Sequence, residues 1–182
     1  MDEATVVAAM RQWIEKAVIG LNLCPFAKAV YVKNQVRYVV SRAPHLDGLL
    51  EDLDRELDFL AAADPEAVDT TLLIHPTLLA DFLDFNDFLQ LAEAAVDEHG
   101  LGGVIQIASF HPAFQFKGTE HDDIGNYTNR APFPTLHLLR EASIERAVAA
   151  FPKAETIYER NIKTLEKLGR AGWDALWQKP EK

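Results

Sequence analysis

Residues 46–110 alternate long apolar-striped helices with short apolar strands, and this alternation constrains the fold more than any other feature of the chain. Leu46, Leu49, Leu50, Leu53, Leu57 and Leu60 form a helical stripe with Glu51, Asp52, Asp54, Glu56 and Asp58 on the opposite side. The spacing predicts a helix over 46–62, ended by Asp64-Pro65. Thr70–His75 reads as a short strand, and Thr77 is placed to cap a second helix over 78–98 that Gly100 closes. Gly103–Phe110 (GVIQIASF) is the most strand-like run in the chain. Strands and helices in this order bury their apolar faces only against one another. The expected class is α/β or α+β, a two-layer sandwich with a mixed sheet of about four to five strands covered by helices.

The flanking segments extend this frame. Residues 4–19 carry Val7, Met10, Ile14, Ala17 and Val18 near helical spacing, with Gly20 as the expected stop. The runs AVYV and VRYVV within Ala29–Val40, around Lys33-Asn34-Gln35, predict a β-hairpin. Thr135–Leu139 suits either a further strand or the first turn of a helix. Ser143–Phe151 and Ala154–Leu168 read as helices, the last capped by Gly169. With neither repeat nor linker, residues 1–182 are expected to form a single domain.

A formal charge of −10 argues against a nucleic-acid footprint and against anionic membrane surfaces. A single cysteine, Cys24, excludes an internal disulfide. The acidic start MDEATVV lacks a signal-peptide pattern and no apolar run is long enough to span a bilayer, so a cytoplasmic protein is expected.

Between the strand ending at Phe110 and Thr135 lies a long stretch without helical or strand period. Loops of this length are generally functional or disordered. Its aromatics, Phe114, Phe116, Tyr127 and Phe133, argue for order. The loop 110–135 is therefore the candidate site.

Its placement past a strand end suits a ligand edge. His111 is the candidate general acid or base, against the ordinary alternative of a packed histidine. Asp122 or Asp123 would orient or bind. Asn126 and Asn129 would supply neutral hydrogen bonds, and Arg130 and Arg140 would clamp an anionic group. Alternatively, these arginines pair internally and fix the loop. His121, Asp122 and Asp123, with His111, His137 or His75, have metal-ligand chemistry, but their spacing matches no strong motif. Cys24, before Pro25, could act as a nucleophile at a helix start. A small buried hydrophobe is the competing reading.

Three blocks carry a resemblance: NLCPFAK (Asn22–Lys28), SFHPAFQFKG with DIGNYTNRAPFPTLHLLRE, and RNIKTLEKLG (Arg160–Gly169). In these the chain resembles a bacterial family catalogued as domain of unknown function 1415. The resemblance implies no activity, cofactor or catalytic residue. It does imply that Cys24, the His111 region and the Arg160–Ile162 segment belong together.

The leading expectation is a small-molecule enzyme of hydrolase or transferase type, with a His/Asp/Asn/Arg pocket for an anionic substrate. A non-catalytic binding or assembly module using the aromatic, proline-rich loop is the rival, and a metal-dependent hydrolase is a third reading. Cofactor and oligomeric state stay open.

Overall fold

The computed structural model describes residues 1–151 and 153–178. Its centre is a mixed four-stranded sheet in the order β1-β2-β4-β3. The strands are β1 (Val36–Val40), β2 (Thr70–Ile74), β3 (Ile105–Phe110) and β4 (Thr135–Arg140). β1 and β2 are parallel, joined across α3 (Leu46–Ala62), and β4 runs antiparallel to both β2 and β3. The mixed sheet and the α/β class agree with the sequence. Thr135–Leu139 resolves as strand, one residue longer than expected.

Alternation along each strand decides what each sheet face carries. Leu73, Leu136, Leu138 and Ile105 meet the leucine stripe of α3 and Phe85, Phe88 and Ala92 of α4 (Phe82–Glu98). Leu72 and Ile74 face the other way, toward Val6, Met10 and Trp13 of α1 (Glu3–Trp13) and toward Tyr127, Leu165 and Trp173. Helices thus lie on both faces. α5 (Glu141–Ala150) follows β4, and α6 (Ile157–Ala175) packs on the 3₁₀ turn Ile124–Asn129. Among the described residues, no helix is long and apolar enough to cross a membrane.

The expected hairpin at Ala29–Val40 is not formed. Ala27–Val32 is a helix, α2, and Asn34 stops it at φ 57°. The Gln35 N–H donates to the Val30 carbonyl (3.1 Å) and the Asn34 N–H to that of Tyr31 (3.0 Å), the paired bonds of a Schellman stop. Asn34 therefore ends a helix where a strand turn was expected. The first helical segment differs too. It passes at Ile14–Ile19 into a π-helix that ends with Gly20 as its C-cap, as expected, and the turn after it closes at Asn22 (φ 53°) through Leu23 N–H to Val18 O, 2.9 Å. At Gly20 a Cβ would fall 2.3 Å from the Lys16 carbonyl oxygen, so close approach also requires glycine there.

α4 starts later than expected. Asp81, not Thr77, is its cap, accepting from the N–H groups of Leu83 (2.8 Å) and Asp84 (3.3 Å). Gly100 closes it as expected, at φ 66°. Gly169 ends the helical stretch begun at Ile157, as expected: at φ 66° and ψ 174° it is non-helical and kinks α6, which resumes past it to Ala175.

Candidate functional site

The loop between β3 and β4 is held by its own polar side chains. Asn126 is fully buried at its centre. Its Oδ1 accepts from the Phe116 N–H (3.0 Å) and the Thr119 hydroxyl (2.9 Å), and its Nδ2 donates to the Glu120 carbonyl (2.8 Å). Asp123 caps the 3₁₀ turn by accepting from the Gly125 N–H at 2.8 Å. Asn129 donates through Nδ2 to the Ser109 carbonyl (3.2 Å), and its own carbonyl accepts from the His111 N–H. These groups close the loop on itself, as buried polar atoms require. Asp122 and His121 are exposed.

Arg130 ties the loop and also faces outward. Nε donates to the Phe114 carbonyl (3.2 Å), Nη2 to that of His121 (2.6 Å), and the guanidinium lies 4.3 Å from the Tyr127 ring centroid. Arg140 sits at the opposite end of β4, where Nη2 donates to the carbonyls of Ala63 (2.8 Å) and Val68 (3.1 Å). It fixes the α3–β2 connection and has no part in the loop.

The three histidines proposed for chemistry are packed. The Nδ1 of His111 accepts from the Ala113 N–H (3.0 Å), which leaves Nε2 as the protonated nitrogen, donating to the Leu79 carbonyl at 3.0 Å. Its ring lies against Phe85 (5.1 Å) and Phe82 (5.4 Å) of α4. His75, also on Phe85 (5.7 Å), is buried with Nε2 unpartnered, and burial pushes it down to about 4. The Thr70 hydroxyl donates to the Leu138 carbonyl (2.6 Å), so it accepts from Nε2 of His137 (2.7 Å); burial lowers His137 to about 4 as well. His111 is lowered by the same cause. All three thus stay neutral near pH 7. Among the described residues, no three His, Cys, Asp or Glu side chains gather in a group able to hold a metal ion.

Cys24 is half-buried, less enclosed than a core hydrophobe. Its carbonyl accepts from the Ala27 N–H in the turn before α2, and His111, with both ring nitrogens engaged, is not its partner. The NLCP segment does meet α6: Asn161 Nδ2 donates to the Leu23 carbonyl (2.8 Å) and Arg160 Nη2 to that of Asn22 (3.0 Å).

Where the loop meets the last turns of α6, a cleft of about 370 Å³ opens, lined by Trp13, Pro112, Tyr127, Arg130, Ala131, Pro132, Arg170, Trp173 and Trp177. It holds all three tryptophans of the chain. Trp173 stands edge-on to Tyr127 (5.0 Å) and to Trp177 (5.5 Å). Arg170 lies 5.3 Å from the Tyr127 ring and donates through Nε to both Asp174 oxygens (3.1 and 3.3 Å). Of the residues singled out in the sequence, only Arg130 lines this cleft; His111 turns toward α4 and Asn126 into the loop. The residues missed are Trp13, Arg170, Trp173 and Trp177, while Tyr127 reads in the sequence as a loop aromatic without a role in a pocket. The i, i+3, i+7 spacing of Arg170, Trp173 and Trp177 was a usable signal, hidden by ending the helix at Gly169.

No curated protein and no solved structure matches the chain. A family model described as "Protein of unknown function (DUF1415)" matches residues 5–175, which takes in the loop, the NLCP segment and the whole of α6. By that match the chain belongs to the DUF1415 family.

Proposed function

We propose that this protein binds an anionic small molecule in the cleft between the 111–132 loop and α6. The observation that carries the reading is the pair of guanidinium groups, Arg130 and Arg170, in a concave, aromatic-walled recess of an otherwise acidic chain. Recesses with apolar walls and a few convergent polar groups are the usual form of small-molecule sites. No carboxylate is among the lining residues, and the Asp174 carboxylate that pairs with Arg170 at 3.1 Å offsets only that one charge, so the local field favours an anion.

Binding is better supported than acid–base chemistry. His111 spends both nitrogens on main-chain groups, and neither histidine nor cysteine lines the cleft. A hydrolase or transferase working here would draw its reacting groups from the ligand or a co-substrate.

The test is calorimetric titration with a panel of small carboxylates, sulfonates and phosphates, repeated with Arg130→Gln and Arg170→Gln. Saturable binding weakened by Arg170→Gln is expected. Anion binding that is unaffected by both substitutions would place the site elsewhere.

A further inference from the structure

Resting on that reading, we infer that the ligand is a planar aromatic molecule carrying one anionic group, its ring against the tryptophan wall and its anion on Arg170 in place of Asp174.

The walls argue for the ring. Trp173 and Trp177 meet at an interplanar angle of 70°, and Trp173 and Tyr127 at 75°. With Tyr127 under the Arg130 and Arg170 guanidiniums and Trp13 buried, Trp177 is the wall ring that keeps appreciable open surface. Trp173 and Tyr127 are nearly buried, whereas Trp177 is only half-buried at the cleft's edge. Pro112, Ala131 and Pro132 also line the cleft and have no long side chain to fill the space. A volume of about 370 Å³ is at the small end for ligand sites, which suits one or two fused rings.

The two arginines have different duties, and that fixes where the anion goes. Arg130 already donates from Nε and Nη2 to loop carbonyls, so it contributes a fixed charge to the wall. Arg170 is held by Asp174, in a pair whose side chains are 66% and 54% exposed, and lies over the Tyr127 ring at 5.3 Å, without a main-chain carbonyl partner among the described residues. Exposed pairs of this kind contribute little stability, so a ligand anion displaces Asp174 at small cost. Asp174 then acts as the resident competitor for the anion site. A net charge of −10 disfavours a polyanion, which leaves a small ligand of low charge.

The experiment uses the full chain and four probes: 1-naphthoate, cyclohexanecarboxylate, 1-naphthalenemethanol and inorganic phosphate. Binding is followed by the indole N–H signals in two-dimensional NMR, which report on the cleft because all three tryptophans line it. Naphthoate should shift all three signals and bind about tenfold more tightly than the saturated acid, the scale of aromatic contacts. It should bind about tenfold or more tighter than the neutral alcohol, the scale of a charge-assisted bond. Asp174→Asn should tighten naphthoate, and Arg170→Gln should weaken it without moving the melting temperature. Equal affinity for naphthoate and cyclohexanecarboxylate would overturn the aromatic inference while leaving an anion site in place. Equal affinity for naphthoate and the alcohol, or no binding by any anionic probe, would overturn the anion reading itself. If naphthoate binds but Asp174→Asn does not tighten it, Asp174 is not the competitor and the anion lies elsewhere in the cleft.

Discussion

The Nε2 of His111 lies 3.0 Å from the carbonyl oxygen of Leu79, a residue held at φ 56°. A left-handed leucine costs roughly 1–2 kcal/mol, so the imidazole fixes a conformation the chain would not choose. The bond also explains the late start of α4, because 76–80 forms a pinned connection in place of a first helical turn. His111 is a structural group at the loop's root, holding it to the segment before α4.

This arrangement makes stability depend on pH with a definite sign. His75, His111 and His137 all titrate below their ordinary value of 6.5, so the unfolded chain takes up protons first. Their contribution is complete above about pH 6.5 and is lost as pH falls, toward about 4 for His75 and His137. Melting temperature should therefore decline between about pH 6.5 and about pH 5, above the range where ordinary carboxylates protonate. His99 has the opposite sign. Asp58 and then Asp54 hold it up, so its contribution is present below 6.5 and fades as pH rises through its folded value. A flat melting temperature across the lower window would contradict the buried, neutral state of the three histidines.

Asn126→Ala should unfold the loop before the sheet. It removes the acceptor for the Phe116 N–H and the Thr119 hydroxyl, and one of two donors to the Glu120 carbonyl, which keeps the Asp123 N–H. A loss of about 2–4 kcal/mol is expected in denaturant unfolding. Limited proteolysis should then cut within 111–134 while the strands stay protected. Asn126→Asp is expected to fare almost as badly, since it keeps the acceptor and loses the donor.

Arg130 and Arg170 should separate by readout. Arg130→Lys cannot reproduce two carbonyl bonds and a stack on Tyr127, so it should lower both stability, by about 1–3 kcal/mol, and ligand affinity. Arg170→Gln should change affinity alone. Equal stability losses from the two substitutions would show that Arg170 is also a structural tie.

Cys24→Ser should cost about 1 kcal/mol or less, because the half-buried thiol carries little of the core. A thiol reagent should label it in the folded protein, more slowly than in denaturant. Complete protection until global unfolding would mean that it is enclosed after all.

The parts of this fold legible in sequence were those with a sustained period. The leucine stripe of α3, the apolar run Thr70–Ile74 and the strand before the long loop carry their own burial pattern. Ala27–Val32 misled because its β-rich composition says nothing of Asn34, whose left-handed stop is shared by hairpins and helix ends. The loop was legible as ordered, but its polar density served its own closure more than a ligand. Asn126, Asp123 and Asn129 are hydrogen-bonding groups for a backbone that has no ladder to join. The cleft was hidden because its walls come from α1, the loop and α6, which are distant in sequence and meet only after the chain has folded.

The kink at Gly169 bears on how this family can vary in length. Its φ of 66° and ψ of 174° break the phase of α6, so Arg170, Trp173 and Trp177 take their orientation from the kink rather than from Asn161 and Leu165. A residue inserted between Asn161 and Gly169 would turn the distal turn by about 100° and carry all three side chains off the cleft together. Substitutions on the exposed side of that span change only solvent contacts. Insertions and deletions there are the changes the site cannot absorb, and tolerated ones should cluster before Ile157 or after Trp177.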